Sequence, residues 1–440
     1  METSTRLPIA TYRVQLHAGF GFDQAAGIVE YLAALGISHL YSSPYLQAAP
    51  GSMHGYDIVD HSHTNSELGG EEGHSRLLEA LHRHGLGHVL DIVPNHMSIA
   101  SPANRWWWDV LQNGQASALA KYFDVDWVAP EARLCDKILL PILADHYGRV
   151  LDAGQLQICR EGGEFRVRYH ETVLPLDFCS IGPIVSVAAN RCGKPELAFI
   201  ADAMVGMPKE RGSDQAEVSR CARDRDVLQQ QLLRLIQEDP QVARAIDEAL
   251  AAVNGDPDAL DSILSGQHYS LAYWRRACQE LNYRRFFDIN TLVGLRVEQE
   301  PVFAGTHSLI LQWVREGLID GLRVDHPDGL RDPEAYLERL SSAAGDTWIV
   351  VEKILEPGEK LPESWPVDGT TGYDLLNLVN GLFIDPAGDV LGQSLMLGMV
   401  QIAVSVAVNA AIVTLAGGVA AFLVTRPAWQ RVQRWLMATV

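Results

Sequence analysis

Three short stretches place acids, a cation and imidazoles where they could do chemistry together. The first is DIVPNH (91–96), in which Asp91 alternates with Val93 and is followed by Asn95 and His96. The second is GLRVDHPDGL (321–330), with Arg323 and Asp325 two residues apart. The third is IVVEKI (349–354), where Glu352 follows an apolar run. Side chains two apart on a strand share a face, so Arg323 and Asp325 are expected side by side. A neighbouring cation holds a carboxylate ionised, the form a nucleophile requires. A glutamate leaving a hydrophobic strand is instead expected to keep its proton to higher pH, as a general acid must. Taken singly, each has an ordinary explanation: an ion pair, a loop hydrogen bond, a residue favoured at a helix N-terminus. Together, in this order and each at a strand end, they point to a nucleophile and a proton donor in one site.

The elements that must position these residues read as alternating strands and helices. ATYRVQL (10–16) is a short apolar alternation, followed by the helical pattern DQAAGIVEYLAALG (23–36) and the strand ISHLYSS (37–43). The helix EEGHSRLLEALHRHG (71–85) precedes HVLDIV (88–93), HSLILQWVREG (307–317) precedes DGLRV (320–324), and DPEAYLERLSSAAG (332–345) precedes TWIVVE (347–352). Strand after helix at this spacing specifies parallel βα units. In a (β/α) barrel, polar residues at the C-terminal strand ends face the active site. The expected fold class is therefore α/β: an incomplete (β/α)8 TIM barrel of about strands one to five, with a large mixed insertion after strand three. Residues 1–96 and 286–388 form the partial barrel, 97–285 the inserted subdomain, and 389–440 a separate apolar tail.

Composition narrows the function classes. The formal net charge of −20 leaves no basic surplus to neutralise phosphates, so no nucleic-acid partner is expected. The six cysteines show no ligand-like spacing and read as reduced thiols of a cytoplasmic protein. The N-terminal METSTRLPIATYRVQL has no apolar core region and no cleavage site, so it does not read as a signal peptide.

The three strings resemble the conserved regions of the α-amylase superfamily, glycoside hydrolase family thirteen. That resemblance implies Asp325 as nucleophile and Glu352 as acid/base, with Arg323 orienting Asp325. His96 and His326 would bind sugar hydroxyls, and Asp91 and Asn95 would brace the site. GYD (55–57) resembles the segment whose tyrosine stacks on the reacting sugar, which places Tyr56 and Asp57 among the substrate-binding residues. TYRVQLHAGFGFDQAAGIVEYLAALGISHLYSSPYL (11–46), GSMHGYDIVDH (51–61), RWWWDVLQNG (105–114), KYFDVDW (121–127), YRRFFDINTLVGLRVE (283–298) and GTTGYDLLNLVNGLFIDPAG (369–388) are similar to the maltooligosyl trehalose synthase branch. The implied reaction is an intramolecular transglucosylation turning the reducing-end α-1,4 bond of a maltooligosaccharide into an α,α-1,1 bond. It needs no metal and no organic cofactor. Enzymes of that branch continue well past this length, and their third catalytic carboxylate has no counterpart here. An incomplete barrel has open parallel edges, which keeps two alternatives in view: an α-1,4-glucan hydrolase, or an inactive fusion product with a membrane tail.

The tail is a different kind of sequence. Val390 to Thr425 contains no charged residue, and Arg426, Arg431 and Arg434 follow. A span needs about 20 apolar residues, so membrane association through residues 390–425 is expected. Residues 391–440 resemble the C-terminal part of a lysine/homoserine-exporter-type membrane protein. Arginines after a single span would place the enzyme portion outside the cytoplasm, whereas a hairpin through Gly417–Gly418 would keep it inside.

Overall fold

A computed structural model describes residues 7–129, 131–207, 215–382 and 388–424. The chain divides into two compact units, Met1–Lys353 with Pro357–Thr371, and Ile354–Glu356 with Gly372–Val440.

The first unit is built on a parallel sheet. Its strands, in spatial order, are β1 (Thr11–Val14), β2 (His39–Ser42), β3 (Gly87–Ile92), β7 (Gly321–Val324), β8 (Trp348–Val351) and β9 (Gly369–Thr370). All five pairings are parallel. Every residue of β3 and β7 is buried, as expected for central strands covered on both faces. Helices α1 (Phe22–Ala34), α2 (Gly70–Arg83), α3 (Glu300–Arg315) and α4 (Pro333–Ala344) each precede the next strand. The arrangement fits an incomplete (β/α)8 barrel. It corrects the expected strand count: Gly369–Thr370 pairs with Val350–Val351 as a sixth, two-residue strand.

The helices form where apolar spacing and start and stop residues agree. In α1, Phe22, Ala25, Val29 and Leu32 recur at helical spacing and are fully buried, so one face docks on the sheet. Asp23 in its first turn complements the helix dipole and pairs with Arg76 of α2 at 2.7 Å. The chain leaves α2 through Gly85 at φ +68°, a left-handed position suited to glycine.

A long insertion leaves after β3. It begins with β4 (His96–Ser98) and returns through the hairpin β5 (Arg285–Phe286) and β6 (Ile289–Gly294). These three form an antiparallel sheet in the order β5–β6–β4, with Gly294 opposite His96. Between them lie a three-stranded antiparallel sheet over 156–175 and helices including Gly182–Cys192 and Pro240–Asn254. The buried residues of this insertion are continuous with the core of the parallel sheet.

The second unit contains helices α5 (Tyr373–Gly381) and α6 (Val390–Val424). Helix α6 runs without interruption through Gly417–Gly418, so the hairpin considered as an alternative to a single span is not formed there. Within it, Val390–Val408 is long and apolar enough to cross a membrane, and none of it is buried. Arg426, Arg431 and Arg434 lie outside the described residues.

The side chain of Leu322 on β7 is fully buried in the core of the first unit. Leu322→Ala is expected to lower the stability of that unit by about 2–5 kcal/mol. Urea unfolding would show a lower midpoint with an unchanged slope.

Candidate active site

Backbone pairing alone brings the acids together. In the parallel register Arg323 of β7 lies opposite Asp91 of β3, so both side chains emerge from the same sheet face. The ladder continues one step further. The Asp325 N–H donates to the Ile92 carbonyl at 2.9 Å, and the Glu352 N–H donates to the Val324 carbonyl at 2.9 Å. Both carboxyls therefore leave the C-terminal edge of neighbouring strands.

One guanidinium connects them. Arg323 is buried, and its Nη1 donates to Asp91 Oδ1 at 2.7 Å and to Asp325 Oδ1 at 2.8 Å. Its Nη2 lies 3.0 Å from Glu352 Oε1. The planar fork fixes the directions of these bonds. It holds Asp325 and Glu352 side by side on the two ends of a single group.

Asp91 is saturated from the other side. The Tyr56 hydroxyl donates to Asp91 Oδ2 at 2.6 Å and the Tyr41 hydroxyl at 3.1 Å. Arg13 of β1 donates to the Tyr56 hydroxyl at 3.1 Å and lies 5.5 Å from the Tyr41 ring centroid. Tyr56 is positioned by Gly55, which sits at φ +81°. A side chain there would put Cβ 2.1 Å from the Pro44 carbonyl oxygen, so only glycine fits. Asp57 stands apart from this group. Its carboxyl is held within its own loop by the Ser52 hydroxyl, with His54 at 3.7 Å, and bonds none of the Arg323 group. The residue after the tyrosine points back into the turn that presents the ring.

The opposite wall is made by the segments after β3 and β7. His96 is buried, shares a hydrogen bond with the Asn95 amide at 3.3 Å, and has its ring 4.5 Å from Phe286. His326 adopts a left-handed φ of +45°, which turns the chain sharply after Asp325, and its N–H donates to Glu352 Oε2 at 3.2 Å. Arg284 holds this wall from behind: it donates to Asn95 Oδ1, to the Gly329 carbonyl at 2.8 Å and to the Leu295 carbonyl at 2.6 Å, and it pairs with Asp124 at 3.0 Å. Among the residues singled out in advance, all but Asp57 are thus linked to one another. Tyr41, Arg13, Arg284 and Phe286 join the site without having been singled out. Tyr41 and Arg13 do lie on paired strands, opposite one another in register, and that register was the available signal.

The electrostatics reverse one expectation. Asp325 is pushed up to about 7, chiefly because burial disfavours its charge. Arg323 opposes this, but Asp91 and Glu352 lie close and raise it further. The expected cation is present, yet it is shared by three carboxyls, and burial outweighs its hold on Asp325. Asp91 is likewise raised, burial being the largest cause and Arg323 the main opposing influence. Burial drives His96 down to about 3, so its ring is neutral and offers one donor and one acceptor.

Comparison with known proteins extends these observations. A profile of the alpha amylase catalytic domain matches residues 24–141. A Mycobacterium tuberculosis protein, provisionally named a maltooligosyl trehalose synthase, is 36% identical over 389 residues, covering 87% of this chain and 39% of that protein. The solved maltooligosyltrehalose synthase from Arthrobacter ramosus is 39% identical, with a TM-score of 0.63, over 87% of this chain and 39% of that one. A hypothetical maltooligosyl trehalose synthase from Sulfolobus tokodaii is 33% identical, with a TM-score of 0.61, over 87% and 40%. Most of the chain is therefore homologous to maltooligosyl trehalose synthases, and it spans about two-fifths of their length.

The raised Asp325 has a consequence for stability. A group whose folded pKa exceeds its unfolded value contributes stability at low pH, which is lost as pH rises toward the folded value. The window here runs from about 4, the ordinary carboxylate value, to about 7. Asp325→Asn removes this loss. Its stability relative to the parent is expected to grow by about 4 kcal/mol between pH 4 and pH 7, then level off. Urea unfolding of both proteins across pH 4–9 checks the sign; a gap that narrows as pH rises would contradict it.

Proposed function

We propose that this chain carries the nucleophile and the acid/base carboxyl of a retaining α-glucan isomerase acting on maltooligosaccharides and producing an α,α-1,1-linked end. The observation that carries the reading is the pair Asp325 and Glu352 held on one guanidinium at adjacent strand ends. Retaining pairs stand about 5–5.5 Å apart, a separation that two neighbouring strand ends bridged by one fork can supply.

In the proposed cycle the Asp325 carboxylate attacks the anomeric carbon of the penultimate residue. The bond from that carbon to the O4 of the terminal glucose breaks, and Glu352 gives its proton to O4. The released glucose turns over in place. Glu352 then takes the proton of its 1-hydroxyl, O1 bonds to the anomeric carbon, and the Asp325 ester is broken. Two displacements retain the α configuration, and no atom is gained or lost. Arg323 orients Asp325, His96 and His326 bind hydroxyls of the reacting sugar, and Tyr56 supplies its stacking face. Asp91 and Asn95 brace these groups. Asp57 belongs to this set only through the loop that presents Tyr56. If water replaces the 1-hydroxyl in the second step, the outcome is hydrolysis to glucose and a shortened chain.

Incubation of the purified protein with maltopentaose is expected to give a non-reducing, trehalose-ended pentasaccharide. Glucose and maltotetraose as sole products would replace this reading with that of a hydrolase. Asp325→Asn and Glu352→Gln are each expected to lower kcat/KM at least about a thousandfold, by analogy with losing one member of a unit that acts together. The nucleophile must be ionised while the acid keeps its proton, so kcat/KM is expected to rise with pH toward the value of about 7 reached by Asp325 and to fall again at higher pH.

We also propose that α6, as part of an exporter-like apolar segment, associates with a membrane. The uncharged run from Val390 supports this, as does the absence of any buried residue across Val390–Val408. Fractionation of cells expressing the full chain is expected to place it with membranes, and removal of residues 390–440 to release it. A wholly soluble full-length chain would rule the anchor out.

A further inference from the structure

Four described non-glycine residues have a positive φ, and two of them, Phe287 at +46° and His326 at +45°, touch each other. A left-handed backbone is uncommon for a bulky side chain and costs about 1–3 kcal/mol unless its surroundings impose it. The tip of the β5–β6 hairpin imposes it here. Arg285 grips both Asp288 and Asn290 across the turn, and β6 is hydrogen-bonded to the strand that starts at His96. The hairpin is thus braced on both sides, and the residue it raises at its tip is an aromatic one.

Phe287 is not held this way for core packing, because it is 69% exposed. Its ring centroid lies 4.9 Å from that of His326 and 4.6 Å from that of Phe286. Phe286 in turn packs on His96 and on His326. The His326 N–H holds Glu352, so Phe287 stands one residue away from the proposed acid/base. Tyr56 is bonded to Asp91, at the other end of the Arg323 fork. The two aromatic residues therefore flank the carboxylates on different sides.

We propose that Phe287 is a sugar-binding platform on the Glu352 side of the cleft, stacking on the glucose that leaves and re-attacks. Such a ring offers an apolar face to the C–H side of a pyranose without competing for the hydroxyls that His326 and Glu352 address. It would also retain the glucose while it turns over and keep water from taking its place. The inference rests on the isomerase reading above.

The test uses the full chain. Phe287→Asn removes the ring with a residue that tolerates the left-handed backbone, and Phe287→Tyr keeps the ring. Each is combined with Glu352→Gln, so that maltopentaose is bound and not consumed, and affinity is measured by calorimetric titration. Phe287→Asn is expected to weaken binding about tenfold, the equivalent of one aromatic contact, and Phe287→Tyr to change it by less than about threefold. With Glu352 intact, Phe287→Asn is expected to raise the ratio of glucose to trehalose-ended product about fivefold or more, as expected when a ring contact of this size is lost. If the parent binds maltopentaose and isomerises it, but Phe287→Asn leaves both affinity and product ratio unchanged, the platform is overturned and the isomerase reading stands. If the parent neither binds nor isomerises maltopentaose, both fall together.

Discussion

The site depends on one buried guanidinium. Arg323 is the only cation bonded to Asp91, Asp325 and Glu352 among the described residues, and it bonds all three. A buried ion pair contributes little net stability in general, but removing one partner leaves uncompensated charge and costs about 3–5 kcal/mol. With three acids and one cation, the cluster is anionic in excess and must keep a proton near neutral pH. This fits a site that needs one carboxyl as nucleophile and another as acid.

The parallel sheet and the insertion contribute different things. Strands β3, β7 and β8 fix the positions of the acids through backbone hydrogen bonds that extend one residue past each strand. The insertion fixes the histidines. Gly294 lies directly opposite His96, and a side chain at Gly294 would strike the Arg284 guanidinium at 2.6 Å. That glycine lets the arginine reach both Asn95 and the Gly329 carbonyl. The insertion is thus a structural component of the site, and its burial is continuous with that of the sheet.

How much of this is legible in sequence follows from the range of each interaction. Asp325, Glu352, Arg323 and His96 stand out because local rules act on them: strand alternation, an apolar run ending in an acid, and polar residues just past a strand. The helix and strand sequence of the parallel sheet follows from the same short-range patterns. Gly369–Thr370 does not, because two residues carry no periodicity and pair only through their neighbour. Arg284 is equally silent, since its role exists only once residues 124, 95 and 329 have met. Asp57 looks like its neighbour Tyr56 in sequence, yet the turn sends its side chain the other way. The raised value of Asp325 is not legible in sequence for a physical reason. Sequence shows that a cation is adjacent but not how deeply the pair is buried or how many acids share it.

The distances along the chain that close this site also say when it can form. Arg323 and Asp91 are 232 residues apart and Arg284 and Asn95 are 189 apart, whereas Tyr56 and Asp91 are separated by 35. Closing long loops is entropically costly before any contact offsets it, and folding slows as the mean separation of contacting residues grows. The Tyr56–Asp91 half can be in place while the insertion is still being made. The guanidinium fork can be completed only after β7 has emerged and docked on β3. Until then Asp91 has the Tyr41 and Tyr56 hydroxyls but no cation, so the arrival of β7 also relieves an electrostatic penalty. Assembly of this fold is therefore gated by the same residue that organises its site.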